Sequence, residues 1–362
     1  MVCIAAFIIL AIIGVFVAGI SIFKPKVGKA YLKALKKAWG CLWKKVRLQK
    51  CETGFKEDVK NTLLSRVMLK HPKMLKPLSI IIEVLSVIIV VVTVWAILVA
   101  IKSLLALWAL GSCNVTKPSA CSLGAEMCSI DEDEPTNILE ATGRWFAEWG
   151  EIFEAIPDKF KTYKAEDYDF VMVSINPESD KPVAVDIFDP GCSVCMASYR
   201  NQKEAGFFEN YSVKLVPFAI QNSDNEYKFE NSEIIVKYML AAEEVKEGAA
   251  IKIIDKIFTQ RNSKNIAYFN MFDSDYTNGE VKGYSHDEAI MKLEEWLKAF
   301  EFSDSEMKKV QKYVAGETIK DDLTVESMMT KNREIVENQL RVKGIPTIIF
   351  DGKRHTGLWK NE

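Results

Sequence analysis

Cys192 and Cys195 stand three residues apart, and that spacing supports three chemistries: half of a zinc site, a structural disulfide, or a dithiol that exchanges with other disulfides. A zinc site needs a second pair of soft ligands at short spacing. Cys113, Cys121 and Cys128 lie too far apart to form one, and the histidines, His71, His286 and His355, are scattered. No metal is therefore expected. The redox reading draws on the flanking pattern. An apolar strand, Val183–Phe188, runs into the pair, and helical spacing begins at Ser193 with Met196, Tyr199 and Phe207 on one side. Cys192 then sits at a helix N-terminus, where unpaired backbone N–H groups and the helix dipole favour a thiolate. Cys195 lies one turn further in. It is expected to be more buried and to resolve a mixed disulfide by attacking Cys192. Such exchange requires no metal and no organic cofactor.

Several elements must position that pair. Residues 170–175 and Val183–Phe188 read as strands separated by a turn-rich stretch, and 213–220 reads as another. Helical patterns dominate 232–341. Ser285 with Glu288, and Ser303 with Glu306, form capping-box patterns. Thr347–Phe350 is a short strand, and Asp351-Gly352 turns the chain toward a last strand near 355–359. The whole is an α/β arrangement.

Two segments resemble a known family. Val185-Asp186-Ile187-Phe188-Asp189-Pro190-Gly191-Cys192-Ser193-Val194-Cys195 is similar to the active-site segment of thioredoxin-fold proteins. Asp186 matches the carboxylate six positions before the first cysteine, and the resemblance implies that it moves the proton of Cys195. Burial raises such a carboxyl's pKa, which suits proton exchange. Val342-Lys343-Gly344-Ile345-Pro346-Thr347 resembles the segment whose proline is cis and faces the cysteines. By that resemblance, the Ile345 backbone pairs with an extended substrate strand beside Cys192. The helical block between the motifs, about 225–341, resembles the insertion of DsbA-like oxidoreductases. The likeness covers about 170–362, roughly half the chain. The Ser193-Val194 dipeptide departs from both the Gly-Pro of thioredoxin and the Pro-His of the best-known oxidases. It leaves the direction of exchange open, with oxidase or isomerase slightly favoured over reductase.

The rest of the chain says where the pair works. Residues 2–23 carry no charge and are long enough to cross a bilayer at about 1.5 Å per residue. A second uncharged run of 18 residues lies between Glu83 and Lys102 and continues to Leu110, with Lys102 placed to snorkel. The alternatives are buried soluble helices and, for the first run, a cleaved signal peptide. The latter lacks the usual preceding positive charge. Residues 24–77 hold 16 Lys and Arg against 3 Asp and Glu, whereas 111–362 hold 30 against 45. Basic loops stay cytoplasmic, so everything after Gly111 is expected outside, and an acidic folded domain argues against nucleic acid as a partner. Within the loop, Tyr31, Leu35, Trp39, Leu42 and Val46 recur at helical spacing among lysines. They read as an amphipathic helix on the anionic leaflet or against protein.

The expected organisation is a transmembrane helix over 1–23, a basic cytoplasmic loop over 24–77, a second transmembrane helix over 78–110, an extracytoplasmic connector with an amphipathic helix over 111–165, and a thioredoxin-like domain over 166–362. The connector helix over 137–160, capped by Thr136, shows a stripe from Ile138 to Phe160 that faces either the domain or the membrane interface. Cys113, Cys121 and Cys128 suit either a structural bridge with one thiol left over or a relay thiol that exchanges with Cys192. Cys41 and Cys51 are expected reduced. The sum is a membrane-anchored thiol–disulfide oxidoreductase acting on extracytoplasmic protein thiols, with a redox partner protein. The alternative is a non-catalytic module that holds a partner at the Ile345–Pro346 groove.

Overall fold

A computed structural model describes residues 75–115, 126–130, 135–175, 180–222, 225–273, 277 and 279–360. The first apolar run and the basic loop up to residue 74 lie outside these. The chain divides into two compact units, Met1–Ile101 and Lys102–Glu362.

The second apolar run forms one continuous helix, α1 (Leu75–Leu110). Its 24-residue stretch Val87–Leu110 is long and apolar enough to cross a membrane, and it is the one such helix among the described residues. The Lys102 ammonium pairs with Glu148 and lies over the Trp145 ring.

The connector contributes a short strand, β1 (Cys128–Ser129), that its sequence does not announce. Helix α2 (Ile138–Ala155) follows. Its cap is Asn137, not Thr136. The extended Asn137 accepts the Glu140 N–H at 2.8 Å, while Thr136 donates its N–H and hydroxyl to the Glu140 carboxylate. Ile152 and Ala155 bury against Ala106, Ala109 and Val115. Ile138, Leu139, Phe146 and Phe153 remain exposed. The helix ends before 160 because Pro157 opens a 3-10 turn.

The domain core is a five-stranded sheet whose strands run, from edge to edge, β2 (Val173–Ile175), β4 (Ser212–Pro217), β3 (Val183–Phe188), β6 (Thr347–Phe350) and β7 (Lys353–Thr356). β2 (Val173–Ile175) starts later than 170 because Asn332 claims the Val171 backbone, accepting from its N–H and donating to its C=O, both at 2.8 Å. β3 (Val183–Phe188) leads into α3 (Ser193–Glu204). Gly206, at φ 68°, breaks the expected single helix before α4 (Phe207–Asn210). β4 (Ser212–Pro217) pairs parallel with β3. It stops at Pro217, which has no N–H to donate, and the Ile220 N–H goes instead to the Asp189 carboxylate.

The insertion then packs α5 (Ser232–Val245), α6 (Ala249–Thr259), α7 (Tyr268–Phe272), α8 (His286–Ala299), α9 (Asp304–Val314) and α10 (Val325–Glu334) into the same hydrophobic core. Both expected capping boxes form. A third, Thr324 with Ser327, uses a serine where the pattern asks for Glu. The chain returns through β5 (Gly344–Ile345), β6 (Thr347–Phe350) and β7 (Lys353–Thr356). β7 ends early because Gly357 turns at φ 100° and donates its N–H to the Pro346 carbonyl. Central side chains such as Ile187, Leu215 and Ile348 are almost wholly buried, each contributing roughly 1.5–3 kcal/mol.

Candidate redox site

β3 delivers Asp186 into the core and Cys192 to the head of α3. Cys192 is the N-cap residue, and its Sγ accepts the Cys195 backbone N–H at 3.4 Å. A sulfur at this position receives the hydrogen bond that a capping oxygen would take, and its thiolate gains from the same N–H and from the helix dipole. The loop that presents it is held by Asp189. That buried carboxylate accepts N–H groups from Gly191 at 2.8 Å and Ile220 at 2.7 Å, together with the Ser232 hydroxyl. Gly191 passes so close to Phe229 that a Cβ there would meet the Phe229 Cβ at 2.4 Å.

Cys195 is a free, buried thiol. Burial pushes it well above the ordinary thiol range. The Asp189 backbone opposes this, and the negative charges of Asp189 and Asp186 add to it. Burial pushes the Asp186 carboxyl up to about 6, against a hydrogen bond from the Gln202 amide at 2.9 Å. Asp189 rises to about 6 by burial too, against its three donors. Two buried carboxyls, both raised by burial, thus act electrostatically on one buried thiol.

The opposite wall is the Gly344–Ile345–Pro346 segment. The Ile345–Pro346 bond is cis. The turn is pinned from both sides: the Thr347 hydroxyl donates to Gly344 O at 2.8 Å, and Gly357 N–H donates to Pro346 O at 2.8 Å.

The two walls are joined by a residue from the connector. Cys128 is disulfide-bonded to Cys192, with 6.4 Å between their Cα atoms, and it is also the antiparallel partner of Ile345 in the β1–β5 pair. Cys192 is therefore linked to Cys128 rather than to the expected Cys195. Ser129 pairs with Gly344, and Ile130 N–H donates to Lys343 O. The five residues expected from the sequence, Asp186, Cys192, Cys195, Ile345 and Pro346, converge on one region of the fold. One was missed: Asp189 carries a readable signal, because a turn Asp accepting the N–H two residues on is an Asx-turn. Cys128 is one of the three connector cysteines weighed as a relay thiol for Cys192, and nothing in the sequence singles it out from Cys113 and Cys121. Cys113 is disulfide-bonded as well. Among the described residues no group of three His, Cys, Asp or Glu could hold a metal ion.

Chemically, the arrangement is that of a mixed disulfide. The outer sulfur of a dithiol is bonded to a cysteine on an extended strand, that strand lies on a cis-proline edge, and a second thiol waits behind.

The sequence matches no protein-family model and no curated protein. Solved structures similar to this chain include a thioredoxin-like oxidoreductase from Silicibacter pomeroyi (13% identity, covering 52% of this chain and 85% of that one, TM-score 0.34). The thiol–disulfide exchange protein alpha-DsbA2 from Wolbachia pipientis is another (19%, 53% and 82%, TM-score 0.34). So is the catalytic domain of Proteus mirabilis ScsC (12%, 53% and 84%, TM-score 0.31). The strand order, the parallel β3–β4 crossover through the cysteine helix and the proline turn before β6 give a thioredoxin-like topology, with helices inserted between β4 and β5.

Proposed function

We propose that this thioredoxin-like domain is a protein thiol–disulfide oxidoreductase whose exchanging pair is Cys192 and Cys195. The observation that carries the reading is the Cys128–Cys192 disulfide, in which a strand on the Ile345 edge presents its sulfur to Cys192. A substrate cysteine would be read the same way, through backbone pairing with Ile345 beside Pro346.

In the oxidising direction, a substrate thiolate attacks Cys192 Sγ of a Cys192–Cys195 disulfide. The S–S bond breaks, and the electron pair goes to Cys195, whose sulfur takes a proton from Asp186. A second substrate thiolate then attacks the mixed disulfide and releases Cys192 as thiolate. The substrate loses two electrons and the enzyme gains them. A partner disulfide must then reoxidise the pair. The reverse sequence reduces a substrate disulfide, with ionised Asp186 taking the Cys195 proton.

The domain works outside the cytoplasm, anchored by two spans. Helix α1 and the basic 24–77 loop support this orientation. The first span lies outside the described residues.

The test is a Cys128→Ser/Cys195→Ala double variant of the full chain in cells, followed on non-reducing gels. Cys128 is removed so that it does not occupy Cys192. Mixed disulfides with other proteins should accumulate and vanish when Cys192→Ala is added. A folded, exported double variant that forms no adduct points instead to a non-catalytic binding module.

A further inference from the structure

The groove beside Pro346 is already filled by the chain itself. Glu126 O accepts the Leu358 N–H at 2.7 Å, Cys128 pairs with Ile345, and Ile130 N–H donates to Lys343 O at 3.1 Å. The Lys228 ammonium donates to Ser129 O at 3.1 Å. Met127 lies over Gly344 so closely that a Cβ on that glycine would meet Met127 Sδ at 2.6 Å. Met127, Cys128 and Ile130 are buried, and Cys192 is 0% exposed. An external thiol has no line of attack on Cys192 while this strand is seated. An external strand has no free Ile345 edge to pair with.

Behind the bond sits a free thiol, Cys195, whose backbone N–H already touches Cys192 Sγ. A fixed structural bridge would not need a second thiol one helical turn from one of its sulfurs. From this juxtaposition we infer that Cys128 is a third exchanging cysteine, carried on an in-chain substrate strand that caps the groove and competes with external substrates for Cys192. This rests on the exchange reading above.

The step balances. The Cys195 thiol gives its proton to ionised Asp186, and its thiolate attacks Cys192 Sγ. The Cys192–Cys128 bond breaks as the Cys192–Cys195 bond forms, and Cys128 leaves as a thiolate that takes a proton from solvent. One disulfide and one thiol stand on each side, so no external oxidant or reductant is consumed. The capped form thereby converts into the Cys192–Cys195 oxidant, and the strand is free to leave. Capping is intramolecular, with an effective concentration of about millimolar for a short tether. A micromolar external substrate therefore competes at a disadvantage.

The full-length chain in detergent, reduced and then reoxidised with limiting oxidised glutathione, tests this by acid quench, alkylation and mapping of disulfide-linked peptides. Both Cys192–Cys128 and Cys192–Cys195 linkages are expected. Met127→Ala, which changes no cysteine, should shift the ratio several-fold toward Cys192–Cys195. Cys128→Ser should speed oxidation of a micromolar dithiol peptide about tenfold or more. Finding only Cys192–Cys195 makes Cys128 a bystander, and finding only Cys192–Cys128 makes it a fixed staple; either overturns the inference. An unchanged rate in Cys128→Ser overturns it too and leaves the exchange reading standing. If Cys128→Ser forms Cys192–Cys195 yet oxidises no peptide, the exchange reading itself falls.

Discussion

Asp186 illustrates how burial and chemistry are coupled in one side chain. Its folded pKa of about 6 lies above the ordinary 3.8, so the native state binds more protons than the unfolded state between those values. Stability tied to this group is therefore greatest below about pH 4. It declines as pH rises through 4 to 6, and the full cost of a buried carboxylate persists above 6. Above pH 6, Asp186→Asn should be more stable than wild type by at most about 3 kcal/mol, read as a higher melting temperature, and the gap should close toward pH 4. A gap independent of pH would contradict this. The same variant should slow resolution of the Cys192 mixed disulfide by roughly 100-fold, the low end for a positioned acid–base group, and abolish the rise of that rate through pH 6. Quenched-flow alkylation of Cys195 reads both. At Gly191 a different force dominates. Gly191→Ala puts a Cβ against Phe229, and overpacking there should cost about 1–3 kcal/mol in denaturant unfolding. Much of this was legible in residue types: the cysteine pair, the carboxylate six positions earlier and the Gly-Ile-Pro segment are all local patterns. The choice of Cys128 as the partner of Cys192 was not, because the two cysteines lie 64 residues apart and Cys128 is placed by the pairing of β1 with β5.

Among the elements, those with strong periodicity sit close to where the sequence puts them, and departures trace to single groups. β3, β6 and α8 follow their patterns because a continuous, mostly apolar run or a Ser–Glu cap fixes both type and start. β4 and β2 are shorter than their apolar runs because Pro217 lacks a donor and Asn332 replaces a strand neighbour. Asn332 joins α10 to both of these segments, donating also to Pro217 O at 3.3 Å. Asn332→Ala leaves the Val171 donor and acceptor without this partner. It should destabilise the domain by roughly 2–3 kcal/mol, read as a lower denaturant midpoint; a change below half a kcal/mol would contradict the role. β1 was invisible because two residues carry no periodicity, and its strand character exists only against β5.

At the scale of the whole molecule, the uneven charge and apolar runs are the readable features. The 24–77 loop is basic and the chain after Gly111 is acidic. With α1 as a span, a membrane-impermeant maleimide applied to intact cells should fail to label Cys41 but label it after permeabilisation. Labelling from outside would invert the proposed orientation. The redox potential is the least legible property, because it depends on the sum of helix dipole, burial and the two carboxyls rather than on any motif.

The exchange claim itself is tested most directly by equilibrating the full-length Cys128→Ser chain across glutathione redox buffers and mapping its linkages. A reversible two-electron transition between a Cys192–Cys195 disulfide and the dithiol is the predicted result. A folded chain in which Cys192 and Cys195 never bond to each other, even in the most oxidising buffer, would contradict the account.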